Sequence, residues 1–325
     1  MQTARPPGAD DAAGRAGAAF RALVATGWTV PLPGAGSTAE RWESLAALGA
    51  TDLPLARLAE GHADAVAVLA ELGGPRIAAD HRLGVWAAEP PAARLVARQV
   101  DGGWLLDGRK AWCSGARTLT HALVTAHADD GPRLFLAGLT HGGVTSDPTV
   151  WTGLGMVASD TSDVFFDAVP AAAVGGPCAY VERPGFWHGG IGVAAVWTGG
   201  ARAVATRLHA TAAGRGADPL LAAAVGAVDV ALHAATAALR DAAREVDRDA
   251  VDLAAARLRA LRVRAVVARS VDDVLAVAGR SLGAGPLAHD REHAQRVADL
   301  SVYVRQHHGE RDLAALGRLL CEEGA

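Results

Sequence analysis

The hydrophobic period of this chain changes twice, and that change constrains its fold more than any other feature. Up to about residue 80, and again from about residue 185, apolar residues recur close to every 3.6 positions, as in amphipathic helices. Between these segments the period is two, and short apolar runs are separated by Asp-Gly, Gly-Pro, Gly-Gly and Asp-Pro pairs, which are typical of turns. The sequence therefore predicts helices, then a compact β-domain, then helices again.

The middle segment predicts seven short strands. They are residues 83–86, 95–100, 104–106, 110–114, 122–126, 134–139 and 164–166. Asp107-Gly108 predicts a tight hairpin turn between the third and fourth strands, because glycine accepts positive φ without steric cost. Val169-Pro170 is expected to close the domain. Strands of this number and length are typical of a small barrel or sandwich.

The C-terminal segment predicts long helices with short breaks. Asp218-Pro219 is a strong helix start, because aspartate caps a helix and proline fits its first position. Gly283-Ala284-Gly285-Pro286 predicts a break between helices. Helices at residues 186–209, from 218 past 246, at 249–280 and at 292–320 together predict a bundle of about four.

The predicted fold class is therefore α+β, in three domains. An N-terminal helical domain spans residues 1–80, a central β-domain spans 81–180 and a C-terminal four-helix bundle spans 181–325. The sequence shows neither βαβ alternation nor a glycine-rich phosphate loop, so a Rossmann fold is disfavoured.

Composition excludes several classes of protein. The net charge is −4 and no continuous basic run occurs, so we expect no nucleic-acid partner. Cys113, Cys178 and Cys321 lie far apart, so we expect neither a disulfide framework nor a metal site. Residues 1–11 lack the order of a signal peptide, and the most apolar stretch, residues 189–201, is too short to span a bilayer. We therefore expect a cytoplasmic protein with no membrane contact.

Residues 103–114 place a flat aromatic, a hydroxyl and bare backbone in succession, which suits the edge of a planar ligand. Their sequence, Gly-Trp-Leu-Leu-Asp-Gly-Arg-Lys-Ala-Trp-Cys-Ser, is similar to the G-x-x-x-x-G-x-K-x-W-I-T/S segment of the acyl-CoA dehydrogenase family of flavoproteins. The resemblance implies that Trp112 lies against a flavin ring and that the Ser114 hydroxyl forms a hydrogen bond near flavin N5.

Three further segments carry the same resemblance. Residues 153–170 are similar to the family's L-G-x-R-x-S-x-T-x-x-V-x-F-x-x-V-x-V-P signature. Gly283 and Gly285 stand at its Gly-Gly-x-Gly turn, which implies backbone contact with a dinucleotide of a neighbouring subunit. Arg296 and Asp299 resemble the R-D that precedes the catalytic loop. The chain is thus identified as a divergent member of this family with a shortened N-terminal domain.

The resemblance implies FAD as cofactor and a homodimer or homotetramer. Counting from Asp299, the family's catalytic glutamate falls at His307, and Glu310 is the nearest carboxylate. The first hypothesis is therefore an FAD-dependent oxidoreductase that dehydrogenates an acyl thioester at its CH–CH group, with His307 as base. At a helix C-terminus the dipole is expected to favour the charged imidazole.

Departures from the family pattern keep two alternatives open. The T-E-P-x-A-G-S-D flavin and substrate loop is reduced to residues 87–93, where Glu89 remains, and Val157 stands at the signature's arginine. The R-x-x-F-G segment that grips the dinucleotide phosphates has only Arg215 as a substitute. Relatives that activate oxygen carry histidine near position 307, which favours a flavin-dependent monooxygenase. The altered loop also permits a non-catalytic homologue. The small-molecule substrate is not readable from the sequence.

Overall fold

The structure, a computed structural model, describes residues 5–216 and 218–323. The chain forms two compact units, each built from separate stretches. The first contains the described residues up to Val30, then Arg57–Gly153 and Val157–Phe186. The second contains Pro31–Ala56, Leu154–Met156 and the described residues from Trp187 onward. The division into three domains stays a prediction, and the two units share residues 1–80 between them.

Nine α-helices are present in the described residues. They are α1 (Ala9–Ala25), α2 (Thr38–Thr51), α3 (Leu53–Glu71), α4 (Pro184–Gly214), α5 (Pro219–Arg248), α6 (Leu253–Leu282), α7 (Ala284–His289), α8 (Arg291–Tyr303) and α9 (Glu310–Glu323). The Asp218 carboxylate caps α5 by accepting hydrogen bonds from the amides of Leu220 (2.9 Å) and Leu221 (3.2 Å). The predicted start of this helix is therefore confirmed.

Seven strands form a small barrel in the first unit. They are β1 (Leu83–Trp86), β2 (Leu95–Val100), β3 (Gly103–Cys113), β4 (His121–Ala128), β5 (Gly131–Gly138), β6 (Val144–Asp147) and β7 (Ser162–Val174). Antiparallel pairs join β2 to β3, β3 to β7, β7 to β5 and β5 to β4, and a short parallel contact between β4 and β2 closes the ring. β1 pairs with β4, and β6 pairs with β7. The central β-domain is thus a closed barrel.

The hairpin predicted at Asp107-Gly108 is wrong. Residues Gly103–Cys113 form one strand, and the tight turn lies at Asp101-Gly102 between β2 and β3. Gly108 sits at a register shift between β3 and β7 with φ of 120°, where a Cβ would approach the Arg94 carbonyl oxygen to 2.4 Å. Glycine is required at position 108 because the backbone of Arg94 approaches it closely. An Asp-Gly pair in the sequence is the same whether it forms a turn or lies inside a strand at such a close approach.

The predicted end of the β-domain at Val169-Pro170 is also wrong. β7 continues to Val174, because its last residues pair with Leu134–Ala137 of β5. β6 was not predicted, since Val144–Asp147 carries only one apolar residue and pairs along the outer side of β7.

His62 joins α3 to the barrel. Its side chain is buried, Nδ1 accepts a hydrogen bond from the Leu83 amide (3.1 Å), and its ring packs edge-on against Phe20 with centroids 6.0 Å apart. Burial lowers the pKa of His62 to about 4, so the ring is neutral at physiological pH. His62 is a hydrogen-bonded core residue.

The last predicted helix is broken. α8 ends at Tyr303, a 3-10 turn spans Val304–Gln306, His307 is extended, and α9 begins at Glu310 after Gly309 with φ of 56°. His307 therefore lies between two helices. The sequence predicts one helix at residues 292–320 that Gly309 ends or bends just after His307. The structure places the end of the helix earlier, at Tyr303, which the apolar spacing does not reveal.

One helix, α5, is long and apolar enough to cross a membrane by length and composition. Its most apolar 18-residue window has a mean hydropathy of 1.7, and 28% of that window is buried. Core helices of proteins that do not enter a membrane meet the same criterion. The length and composition of α5 therefore do not by themselves indicate contact with a membrane.

Candidate functional site

Trp112 lies on a strained bulge at the end of β3. Its φ is 58°, the pairing between β3 and β7 shifts register between Lys110 and Cys113, and 62% of the Trp112 surface is exposed. A bulky residue rarely adopts positive φ, and such strain collects at binding and catalytic sites. The exposed indole is accessible to a flat ligand, and its contact with a flavin stays a prediction.

Ser114, two residues further along, ends a chain of hydroxyl groups. Its Oγ lies 3.0 Å from Thr161 Oγ1, which lies 2.8 Å from Ser159 Oγ. The indole N–H of Trp86 donates to the Ser114 carbonyl (3.0 Å). These contacts fix both the backbone and the hydroxyl of Ser114. Ser159 and Thr161 were not predicted as site residues, although they occupy the serine and threonine positions of the family signature.

A partly buried ion pair between Arg117 and Asp160 holds the backbone beyond Ser114. The Gly115 amide donates to the Ser159 carbonyl (2.8 Å), and the Arg117 guanidinium donates from Nε (2.8 Å) and Nη2 (2.6 Å) to Asp160 Oδ1. Asp10 adds a second carboxylate 2.9 Å from Arg117 Nη2. Residues 114–117 and 159–161 therefore form one rigid segment next to Trp112.

Glu89 is occupied by a buried lysine. Its Oε1 accepts from Lys110 Nζ (3.2 Å) and Thr125 Oγ1 (2.7 Å), and Lys110 Nζ also donates to the Thr125 carbonyl (2.8 Å). Burial lowers the pKa of Lys110, and Glu89 opposes that shift. Burial alone would raise the pKa of Glu89, but Thr125 and Lys110 lower it below its usual value. Glu89 thus ties residues 87–93 to the barrel, and its contact with a cofactor stays a prediction.

His307 presents a hydrogen-bond donor without a partner. The Gly309 amide donates to His307 Nδ1 (3.3 Å), so the neutral ring carries its proton on Nε2. Nε2 is buried and has no hydrogen-bond partner among residues 5–216 and 218–323, and Asp312 Oδ2 lies 3.8 Å away. A buried N–H without a partner costs free energy, so the Nε2–H of His307 is a donor that a water molecule or a bound group could satisfy.

The pKa of His307 is shifted in the direction opposite to that expected from a helix dipole. Burial lowers the pKa below its usual value, Asp312 opposes the shift, and the positive charge of Arg264 adds to it. His307 follows a 3-10 turn in an extended conformation, and its side chain is 9% exposed. Desolvation therefore outweighs any dipole effect, and the ring is neutral near pH 7.

The remaining predicted residues are exposed or open. Glu310 is exposed in the first turn of α9, and Arg215 is exposed directly after α4. Gly283 caps α6 with φ of 69°, and a Cβ at Gly283 or Gly285 would meet no atom within 4 Å. These four residues and His307 belong to the second unit, whereas Glu89, Trp112 and Ser114 belong to the first. That the residues of the two units contribute to a single site stays a prediction.

Asp299 holds the loop of the family signature against α8. Its Oδ1 accepts from the Met156 amide (2.5 Å) and from Gln295 Nε2 (2.8 Å), and a Cβ at Gly155 would lie 2.3 Å from the Ala298 carbonyl oxygen. Burial raises the pKa of Asp299 to about 6. The sequence motif located this residue but did not indicate its role.

Asp299→Asn is expected to remove a pH dependence of stability. Because burial raises its pKa to about 6, folded Asp299 retains a proton that the unfolded chain loses above about pH 4. The free energy of unfolding of the wild type should therefore fall, relative to the variant, as pH rises from about 4 to 6. Urea unfolding of both proteins across this range measures the difference. Parallel curves would show that Asp299 ionises normally.

An open groove of about 680 Å³ lies on the barrel. Its walls include the β2–β3 turn, Trp104, His121 and residues 170–173 of β7. None of the predicted site residues lines it. A cavity of about 10 Å³, roughly one water in size, adjoins Ser114 and Trp86. The smaller cavity, and not the groove, is associated with the chemical groups described above.

Comparison with known proteins agrees with this fold. The model of the acyl-CoA dehydrogenase middle domain matches residues 87–169. Among solved structures, TdsC from Paenibacillus sp. A11-2 in its FMN-bound form has a TM-score of 0.77 at 18% identity, covering 97% of each chain. KijD3 in complex with FMN and dTDP-3-amino-2,3,6-trideoxy-4-keto-3-methyl-D-glucose has a TM-score of 0.73 at 21% identity, covering 90% of this chain and 86% of KijD3.

Two curated relatives match shorter segments. The amino sugar nitrososynthase RubN8 of Streptomyces rubradiris is 43% identical over 77 residues, which are 22% of this chain and 18% of RubN8. The L-evernosamine nitrososynthase of a Micromonospora species is 32% identical over 166 residues, which are 47% of this chain and 39% of that protein. The matches thus span less than half of either relative.

These matches and the closed barrel define the acyl-CoA dehydrogenase-like fold. The chain thus has this fold, and its residues 87–169 are similar to the middle domain of the acyl-CoA dehydrogenase family, in agreement with the resemblance of its sequence motifs.

Proposed function

We propose that this protein is an FMN-dependent monooxygenase that oxidises the amino group of a nucleotide-linked amino sugar. Two nitrososynthases are among its relatives, and KijD3 binds FMN together with a dTDP-amino sugar. In the first round one O₂, two electrons and two protons convert the amine to a hydroxylamine, and the second oxygen atom leaves as water. A second round, with another O₂, two electrons and two protons, converts the hydroxylamine to the nitroso product with release of two waters.

The observation that carries this proposal is the free N–H of His307. A neutral ring whose Nδ1 already accepts from Gly309 has no lone pair available at Nε2, so it donates a hydrogen bond and does not accept a proton. Proton abstraction next to a carbonyl needs the opposite, a free base. The structure therefore favours oxygenation over dehydrogenation of an acyl thioester. Glu310, the other candidate base, is exposed.

The residues present suit a flavin mononucleotide. Trp112 offers an exposed indole face, and Ser114 offers a hydroxyl fixed by Thr161. The chain lacks a clean R-x-x-F-G segment, and Arg215 stands exposed after α4. The phosphate-gripping residues expected for a dinucleotide are thus reduced, which supports FMN in place of the FAD implied by the family resemblance.

Each residue then has a defined task. The flavin supplies the electrons that activate oxygen when it is bound and reduced. Trp112 covers a flat ring, Ser114 forms a hydrogen bond at its edge, and His307 donates from Nε2. The rigid segment that includes Arg117 and Asp160 keeps Ser114 in position without reorganisation, which is how preorganised donors contribute to rate.

Flavin binding and oxygen uptake test the proposal. The purified protein is titrated with FMN and with FAD, and flavin fluorescence is followed. A flavin reductase, NADH and a dTDP-3-amino sugar are then added, and oxygen uptake and product mass are measured. Tighter binding of FMN and addition of oxygen to the amine are expected. An α,β-unsaturated acyl thioester formed without oxygen uptake would restore the dehydrogenase hypothesis. Failure to bind either flavin would favour a non-catalytic homologue.

We also propose that the protein is cytoplasmic and forms a homodimer or homotetramer. The family resemblance supports the oligomer, and the exposed apolar residues of α5, Leu220 and Val230, are consistent with it. Light scattering of the purified protein measures the subunit number.

A further inference from the structure

Arg264 joins three elements of the second unit. It lies on α6, donates from Nη1 to the Gly190 carbonyl of α4 (2.7 Å) and from Nη2 to the Gln306 carbonyl (2.9 Å). Its guanidinium carbon lies 4.9 Å from the centroid of the Trp197 ring, which is fully buried. The guanidinium is therefore held by its stacking and by two carbonyl groups from separate segments.

The Gln306 carbonyl, which accepts from Arg264, lies directly before His307. It closes the 3-10 turn, after which the chain becomes extended at His307, so no following helical amide is available to it. A planar guanidinium can satisfy two carbonyls in fixed directions, whereas an ammonium is a single flexible point charge. The backbone immediately before His307 is thus anchored to α4 through one side chain.

We infer that Arg264 is the positioning residue that fixes the backbone at His307, so that the buried Nε2–H of this histidine stays available to a bound group. This inference rests on the proposed function, since it explains how the donor of that site is held. Arg264 acts through the Gln306 carbonyl and needs no contact with substrate or cofactor.

The charge of Arg264 acts in the same direction as its hydrogen bonds. The charged groups around His307 are Arg264 on α6, Arg305 and His308 on the same segment, and Asp312 on α9. Arg305 is exposed and paired with Asp272, so it is more screened than Arg264. Arg264 therefore helps to keep His307 neutral, which preserves the hydrogen bond from Gly309 to Nδ1.

Three variants separate these two effects. Arg264→Met removes the two hydrogen bonds of the guanidinium together with its charge, whereas Arg264→Lys keeps the charge alone. Arg262→Met is the control, because it removes an exposed arginine of the same helix. In flavin-free protein, NMR measures the pKa of His307 and the hydrogen exchange of amides 307–309. We expect faster exchange in both Arg264 variants, and a higher His307 pKa in Arg264→Met only. We also expect kcat for oxygenation to fall about tenfold in both, with little change in KM.

The inference would be wrong if Arg264→Met matched Arg262→Met in amide exchange and in the His307 pKa. If Arg264→Met does not fold, the exchange and kcat of Arg264→Lys decide instead, since this variant retains the charge. Altered exchange and pKa in a protein whose wild type oxygenates no amine would support Arg264 as the anchor of His307 and contradict the proposed function alone.

Discussion

Alanine in place of His307 is expected to lower the rate of amine oxygenation by about 100-fold, a typical contribution of one positioned proton donor. The structure gives His307 a buried Nε2–H without a partner, while Gly309 fixes the opposite nitrogen. Loss of this donor should leave FMN binding unchanged, since Trp112 and Ser114 remain. Oxygen consumed by the variant should then appear as hydrogen peroxide instead of oxygenated amine.

His308 supplies a matched control, because it is the adjacent residue and its side chain is 62% exposed. His308→Ala should retain the wild-type rate. His307→Gln keeps a side-chain N–H donor and should recover part of the loss. Because burial lowers the pKa of His307, the wild-type rate should be constant between about pH 7 and 8. A His307→Ala protein with an undiminished yield of oxygenated amine would show that the histidine has no part in the chemistry.

Glycine at position 112 is expected to stabilise the flavin-free protein and to weaken FMN binding. Trp112 has φ of 58° and 62% of its surface is exposed, so the substitution removes backbone strain and little buried surface. The free energy of unfolding should rise by about 1 kcal/mol, the usual cost of a left-handed residue with a side chain. Loss of aromatic stacking should weaken FMN binding about tenfold.

Urea unfolding and FMN titration measure both effects in the same samples. Phe165→Gly is the control, since Phe165 is an exposed aromatic of β7 at ordinary φ. That variant should lose stability, because glycine costs conformational entropy in a strand, and should bind FMN normally. Trp112→Phe should retain most of the FMN affinity. A Trp112→Gly protein that is less stable than the wild type would mean that the bulge is not strained.

Features set by local sequence were predicted well. The bounds of β1 and β2 agree with the predicted strands at residues 83–86 and 95–100, because period-two patterning and the turn pairs beside them act over a few residues. The cap at Asp218 is equally local. Family motifs also singled out Trp112, Ser114 and His307, of which Ser114 lies on the rigid segment beside Trp112, and their roles stay predictions.

Features set by distant partners were not predicted. Asp107-Gly108 has the composition of a turn but lies inside β3, because Arg94 and β7 decide its backbone. The pKa of His307 follows from burial and from Arg264, which is 42 residues from Gln306. The role of Asp299 depends on a loop 143 residues away. The pattern of residues along the sequence does not show such contacts, because they form only when distant segments pack together.

The discontinuous make-up of the two units has a consequence for biosynthesis. The barrel unit cannot be completed until Phe186 has left the ribosome, because Val157–Phe186 supplies β7. Residues Pro31–Ala56 are made early but belong with helices made after Trp187, so α2 must wait for them during elongation. Domains synthesised in this way cannot mature strictly in order from the N-terminus. For the same reason, no single cut in the chain would release either unit intact.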